Sequence, residues 1–198
     1  MRDTRLLLCA LCLKYDTYNE ILDAVERREE LSDEEIAFAE HQQFITILDS
    51  NYPEKLRRLD LPPLVLFYDG DVNALELVDS NELVFLYGEN RFNIPEERLV
   101  TILDDKTINI ANRVRVWFFK ERNNADRFYL APKLASAIVC TKTYPVDTGS
   151  LFVRCSISAA LAFNMDIYVV PTLERSFNND LIKEGAYLID CYEDIKIN

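Results

Sequence analysis

The sequence contains very little glycine and histidine. Four of its 198 residues are glycine, and His41 is the one histidine. No Gly-x-Ser-x-Gly elbow, His-Glu-x-x-His pair or Walker phosphate loop occurs, so the familiar hydrolase, metalloprotease and P-loop chemistries lack their signatures. His41 follows a helical, polar stretch, where a histidine is expected to be a surface or capping residue rather than a general base. The sequence therefore gives little support to classical catalysis.

Long hydrophobic runs are also missing. The run Leu6–Leu13 has about half the length that a signal peptide needs, and Lys14 follows it directly. No segment approaches the roughly 20 apolar residues of a membrane span. These features predict a cytoplasmic protein without a membrane partner.

The five cysteines show no disulfide framework, as expected for reduced thiols in a cytosol. Cys9 and Cys12 form a Cys-x-x-Cys pair, but leucines flank them and no second pair exists to complete a zinc site of about four ligands. We interpret the pair as part of a packed core and predict neither a metal nor a cofactor, with metal or redox use as the alternative.

The overall charge is acidic, but one segment is basic. With 22 basic and 34 acidic residues the net charge is −12, which disfavours indiscriminate contact with nucleic acid or anionic membranes. The segment 113–154 nevertheless carries a net +5. Its basic residues are Arg113, Arg115, Lys120, Arg122, Arg127, Lys133, Lys142 and Arg154, interleaved with the aromatics Phe118, Phe119, Phe128 and Tyr129. Cations beside aromatics suit single-stranded nucleic acid; alternatively, the aromatics belong to strand cores and the cations to solvated surfaces.

The pattern along the chain predicts an α/β fold. Residues 1–43 are predicted to form a small N-terminal helical segment. Within it, Thr17 with Glu20 and Ser32 with Glu35 have the spacing of capping boxes. From residue 44 to 198, short continuous apolar strands alternate with helices, which predicts a mostly parallel, Rossmann-like sheet with helices on both faces. The expected strands lie near 44–47, 64–68, 83–87, 114–119, 136–140, 167–170 and 187–189.

A glycine precedes the expected helix at 150–163. In the sequence Asp147-Thr148-Gly149-Ser150-Leu151, glycine would allow a ligand to approach the backbone, and the first amides of a helix favour an anion. A plain N-cap explains Ser150 equally well. A nucleotide-hydrolysing enzyme would need a carboxylate at this loop, and Asp147 is the local candidate.

Three stretches together resemble the DprA/Smf family of bacterial DNA-processing proteins. The first runs from Tyr52-Pro53-Glu54-Lys55-Leu56 through Pro62-Pro63-Leu64-Val65-Leu66-Phe67 to Gly70-Asp71. The second joins Thr148-Gly149-Ser150-Leu151 to a strand ending in Val170-Pro171. The third is Asn179-Asp180-Leu181-Ile182-Lys183-Glu184-Gly185-Ala186, followed by Asp194-Ile195.

The resemblance implies a shortened Rossmann-like domain over residues 44–198 that binds single-stranded DNA without catalysis. It further implies a homodimer and a RecA-type recombinase as partner, in DNA recombination and transformation. It points to Gly88, Gly149 and Ser150, and to Arg122 or Arg127, as nucleic-acid-binding residues; Arg115 and Lys120 are added from their charge alone. The alternative is a degenerate interaction or ligand-sensing module of the same fold that has lost DNA binding.

Overall fold

The computed structural model describes residues 3–103, 107–117, 130–142, 151–173 and 176–196, with only the backbone for 151–156. Its α-helices are α1 (Thr4–Lys14), α2 (Tyr18–Glu26), α3 (Asp33–Glu40), α4 (Glu54–Arg57), α5 (Leu151–Ala162) and α6 (Phe177–Lys183). Its strands are β1 (Phe44–Thr46), β2 (Val65–Gly70), β3 (Val84–Tyr87), β4 (Leu99–Ile102), β5 (Ile108–Ile110), β6 (Val114–Trp117), β7 (Ala137–Cys140), β8 (Asp166–Val169) and β9 (Tyr187–Leu188). Short 3-10 helices occupy Val72–Val78, Glu96–Arg98, Ala131–Leu134 and Tyr192–Asp194.

The strands form one sheet in the order β1-β2-β6-β5-β4-β3-β7-β8-β9. The α/β, Rossmann-like prediction is confirmed: β4, β3, β7, β8 and β9 run parallel to one another. The other pairings, among β1, β2, β6, β5 and β4, are antiparallel. The expectation of a mostly parallel sheet therefore holds for one half only. The expected strands β1, β2 and β6 pair antiparallel, and β4 and β5, which the sequence pattern did not reveal, join them to the parallel half.

Strand residues alternate between two apolar layers, as the two-residue period of a strand requires. Leu83 and Phe85 join the large core cluster on the first face, beside the 3-10 helix Val72–Val78 and Ala160 of α5. Val84 and Leu86 belong to a separate cluster on the second face.

Helices cover the second face only in part. Over β2, the helices α1–α3 pack on Val65 and Phe67. Over the described parallel strands, the cover consists of Phe92, Ile94, Ile189 and Tyr192, which lie outside the α-helices. The prediction of helices on both faces thus holds over β2. Over the parallel half, the residues that the structure describes on the second face belong to extended and 3-10 segments.

Both predicted capping boxes form. Glu20 N–H donates to Thr17 Oγ1 (3.3 Å) and the Thr17 backbone donates to Glu20 Oε2 (2.9 Å), and Ser32 and Glu35 repeat this exchange at the start of α3. These bonds satisfy amides that a helix start leaves without partners. They fix where α2 and α3 begin. The proposed division at residue 43 stays a prediction.

Asp79 anchors α4 from a different part of the chain. Its carboxylate accepts hydrogen bonds from the backbone of Glu54 (2.7 Å) and Lys55 (2.9 Å). The Lys55 ammonium reaches Ser136 Oγ at 2.8 Å, at the beginning of β7. Together these contacts hold the short helix α4 against the amino ends of β3 and β7.

We expect Asp79→Ala to lower the free energy of unfolding by about 1–2 kcal/mol, because two backbone donors lose a charged acceptor. Chemical denaturation of both proteins measures the change. Glu76→Ala, at an exposed position of the 3-10 helix Val72–Val78 that Asp79 follows, is the control and should cost well under half as much. Equal losses in the two variants would contradict the anchoring role.

Candidate nucleic-acid interface

The strand order reverses between β3 and β7. From β3 the chain continues to β4 on one side and later returns as β7 on the other side. In open α/β sheets, ligands bind beyond the carboxyl ends of the strands at such a switch point. The residues to consider are therefore those that follow β3 and β7.

The ends of β3 and β7 are bonded together closely. Thr141 N–H and Lys142 N–H both donate to the carbonyl oxygen of Tyr87, at 2.9 Å and 3.3 Å. Gly88 has a φ of +114°, and a Cβ atom there would lie 2.7 Å from the nitrogen of Lys142. Glycine is required here both by the backbone conformation and by the close approach.

The buried residue Thr141 stabilises the turn after Gly88 by a hydrogen bond. The residue is 1% exposed, and its hydroxyl donates to the carbonyl oxygen of Glu89 at 2.8 Å. That bond ties the segment after β3 to the end of β7. Thr141 is therefore part of the support of the switch point rather than a group that meets solvent.

Lys142 is an exposed cation at this edge. Its Nζ atom lies over the ring of Tyr87, 5.8 Å from the ring centroid. Arg91, in the segment after β3, approaches Glu89 at 3.8 Å. The edge thus offers an ammonium group beside an aromatic ring, next to a glycine turn.

A buried amide supports the neighbouring strand ends. Asn178 is fully buried; its Nδ2 donates to the carbonyl oxygen of Val170 (3.1 Å), and its Oδ1 lies 3.9 Å from Cys140 Sγ. Burial raises the pKa of the Cys140 thiol to about 12, so the thiol stays protonated and can donate.

Asn179 fixes the loop that follows β8. Its side chain exchanges two hydrogen bonds with the backbone of Thr172, at 3.0 Å and 2.7 Å. Asn178 and Asn179 together hold the carboxyl ends of β7 and β8 in place. Both side chains donate hydrogen bonds to backbone groups of the protein, so they stabilise the edge.

Of the predicted site residues, Gly88 lies at the switch point. Arg115 lies elsewhere, on β6 in the antiparallel half, with Nη1 3.7 Å from Asp69 of β2. Two strands, β5 and β4, separate β6 from β3. Its position beside an acid balances its charge, and its role in binding stays a prediction. Lys120, Arg122, Arg127, Gly149 and Ser150 lie outside the described residues.

The other described cations of the basic segment, Arg113, Arg115 and Lys133, lie away from the switch point. Arg113, immediately before β6, is hydrogen-bonded to Asp71, immediately after β2. Lys133 is only 9% exposed, beneath the ring of Phe163. Among the described residues of the segment, Lys142 is therefore the cation that lies at the carboxyl edge.

Sequence reasoning missed Tyr87, Thr141 and Asn178 as parts of this site. The sequence did show that Tyr87 ends an apolar strand and that Thr141 follows another. The predicted fold class made it plausible that these two strands are parallel. Without the strand order, nothing indicates that these two strand ends are neighbours.

The predicted roles of the histidine and the Cys-x-x-Cys pair agree with the structure. His41 is exposed at the end of α3, with Nδ1 2.6 Å from the carbonyl oxygen of Ala37. Cys9 is fully buried, and burial raises the pKa of its thiol to about 12.

Within the described ranges, no group of three or more histidine, cysteine or acidic residues is arranged to hold a metal ion. In that same part of the chain, no helix is long and apolar enough to cross a membrane.

Comparison with known proteins shows similarity in structure but not in sequence. No protein-family model and no curated protein matches the sequence significantly. The X-ray structure of DNA processing protein A (DprA) from Streptococcus pneumoniae matches with a TM-score of 0.64 at 16% identity, covering 98% of this chain and 97% of that chain. The Helicobacter pylori DprA, described for its unique single-stranded DNA binding mode, matches with a TM-score of 0.52 at 16% identity, covering 75% of this chain and 92% of that chain. The chain described here, over nearly its whole length, therefore has the fold of DprA.

Proposed function

We propose that this chain is a DprA-like DNA-processing protein that binds single-stranded DNA without catalysing a reaction. The observation that carries the proposal is the DprA fold over 98% of the chain, in a protein whose switch point bears an exposed lysine beside an aromatic ring. Ammonium groups neutralise backbone phosphates, and any base can stack on an aromatic ring. The combination suits the binding of single strands without sequence preference.

The proposed partners are a RecA-type recombinase and a second copy of the chain, in the cytoplasm. The support is the resemblance of the sequence motifs to the DprA/Smf family together with the shared fold. Cys9, Cys12, Cys140 and Cys191 form no disulfide, which is compatible with a reducing compartment. A pull-down with RecA in the presence of an oligonucleotide tests the recombinase, and light scattering tests the dimer.

A second candidate is an interaction or ligand-sensing module of the same fold that no longer binds DNA. The charge distribution favours it: the net charge is −12, Arg113 is paired with Asp71, and Arg115 is paired with Asp69 of β2. Such pairs leave little positive potential for a polyanion.

A fluorescence-polarisation titration with a labelled oligothymidylate distinguishes the two candidates. We expect binding at low salt, weaker binding to a duplex, and an affinity that falls with salt by a log–log slope of roughly −0.7 per phosphate contact. Arg122→Ala combined with Arg127→Ala should abolish binding. A wild-type protein that leaves the oligonucleotide unbound at low salt would favour the second candidate.

A further inference from the structure

We propose that Lys142 is a phosphate contact of the single-stranded DNA site and that Tyr87 is the residue that positions it. This inference rests on the proposed function and adds two residues at the switch point. Neither the family motifs nor the charge pattern singled them out as site residues. The ligand group is the phosphodiester of a nucleic-acid backbone.

The first support is the fixed position of the Lys142 backbone. Its N–H donates to the carbonyl oxygen of Tyr87, and the absent Cβ at Gly88 lets it lie close to the turn. The preceding residue, Thr141, is buried and bonded to the carbonyl oxygen of Glu89. The backbone of Lys142, from which the side chain extends, is therefore held in place at the carboxyl ends of two parallel strands.

The second support is the direction of the Lys142 side chain. A lysine carries its charge on a flexible stem of four carbons, which on an open surface samples many positions. Here the ammonium group lies over the Tyr87 ring, 5.8 Å from its centroid, and the electron-rich face of the ring attracts it. The ring keeps the charge above the switch point, where ligands of this fold class bind.

The third support is the burial of Tyr87 itself. The ring is half-buried and packs against the core clusters beneath α5 and α6. It is thus held in place by the fold and does not depend on a ligand for its orientation. A fixed ring that holds the ammonium near one position reduces the entropy lost when the ammonium binds a phosphate.

The test is the titration with oligothymidylate at several salt concentrations, using variants at both positions. Lys142→Met should lower the affinity about ten-fold at low salt and reduce the magnitude of the log–log salt slope by about 0.7, the value for one phosphate on a single strand. Lys183→Met is the matched control. It removes the same charge from α6, where the ammonium is paired with Asp180 at 2.9 Å, and should change the affinity less than about two-fold.

Tyr87→Met removes the ring but retains a flexible apolar side chain that fills part of its space. We expect a loss of about three-fold in affinity, the size of an exposed cation–aromatic contact. Tyr87→Phe keeps the ring face and should bind as the wild type does. In the Lys142→Met background, Tyr87→Met should have no further effect, because there is no ammonium left to position. Thermal unfolding of each variant establishes that it is folded.

The outcomes separate this inference from the proposed function. If the wild type binds and Lys142→Met changes the affinity no more than Lys183→Met does, the phosphate contact is wrong while the proposed function stands. If Tyr87→Met weakens binding equally with and without Lys142, the ring acts on the DNA directly and the positioning role is overturned. If the wild type fails to bind at low salt, the proposed function and this inference both fail.

Discussion

Replacing Gly88 by alanine is expected to lower the free energy of unfolding by about 2–4 kcal/mol and to impair oligonucleotide binding in the protein that remains folded. Two costs combine at this position. The φ of +114° is one that side-chain-bearing residues rarely adopt. In addition, the new methyl group would lie 2.7 Å from the nitrogen of Lys142 and would press on the buried side chain of Thr141.

Neither neighbour can move away without losing a contact. Thr141 is bonded to the carbonyl oxygen of Glu89, and Lys142 is bonded to that of Tyr87. The ends of β3 and β7 would have to separate, which would displace Lys142 from the position proposed for it. The expected effect therefore includes both stability and binding.

Gly185→Ala is the matched control for this prediction. Gly185 has a nearly identical φ of +110°, but a Cβ atom there would meet nothing within 4 Å. Its cost should be the conformational strain alone, about 1 kcal/mol, with unchanged binding. Urea denaturation of the three proteins gives the difference. If the two alanine variants were equally destabilised, the close approach at Gly88 would contribute nothing.

Replacing Lys133 by methionine is expected to raise the free energy of unfolding by about 2–3 kcal/mol at pH 7. Lys133 lies on the 3-10 helix Ala131–Leu134 and is 9% exposed, with its ammonium 5.2 Å from the centroid of the Phe163 ring. Burial lowers the pKa of Lys133 to about 8, and the charge of Asp60 opposes that shift only in part. Desolvation of the ammonium therefore lowers the free energy of unfolding of the wild type. Methionine fills a similar space without a charge and would remove this penalty.

The sign of the pH dependence follows from the lowered pKa. Below pH 8 the lysine is protonated in both the folded and the unfolded chain, so the full cost is present. Between pH 8 and about 10.5 the folded protein has lost this proton while the unfolded chain still binds it. The stability contributed at this site therefore rises with pH through that window.

The measurement is the difference in unfolding free energy between Lys133→Met and the wild type, from denaturation at several pH values. This difference should be largest at pH 7 and should shrink as the pH approaches 10. Lys183→Met is the surface control, and its difference from the wild type should stay small throughout. A Lys133→Met protein less stable than the wild type at pH 7 would show that the contacts of the ammonium outweigh its desolvation.

Several elements could be predicted from the sequence because short-range interactions specify them. The starts of α2 and α3 depend on Thr17 with Glu20 and on Ser32 with Glu35, three residues apart in each case. The buried strands β3 and β7 are continuous apolar runs, and Gly185 has the positive φ expected of a glycine that ends a helix. Local hydrogen bonding and hydrophobic pattern contain this information.

The strands β4 and β5 could not be predicted in the same way. Leu99–Ile102 and Ile108–Ile110 are four and three residues long. Their strand conformation depends on pairing, β4 with β3 and both with each other. Runs of this length carry little periodic signal, and they join the antiparallel half of the sheet to the parallel half.

The sequence by itself determined the α/β class, the helical N-terminal segment and the concentration of cations between residues 113 and 154. Only the tertiary structure decided where the described ones among those cations lie. Pairing of β2 with β6 puts Asp69 beside Arg115, packing buries Lys133 under Phe163, and the strand order brings Lys142 to Tyr87 at the switch point. Each of these contacts joins residues that are far apart in the chain, and the sheet topology that brings them together is set by the packing of the whole core.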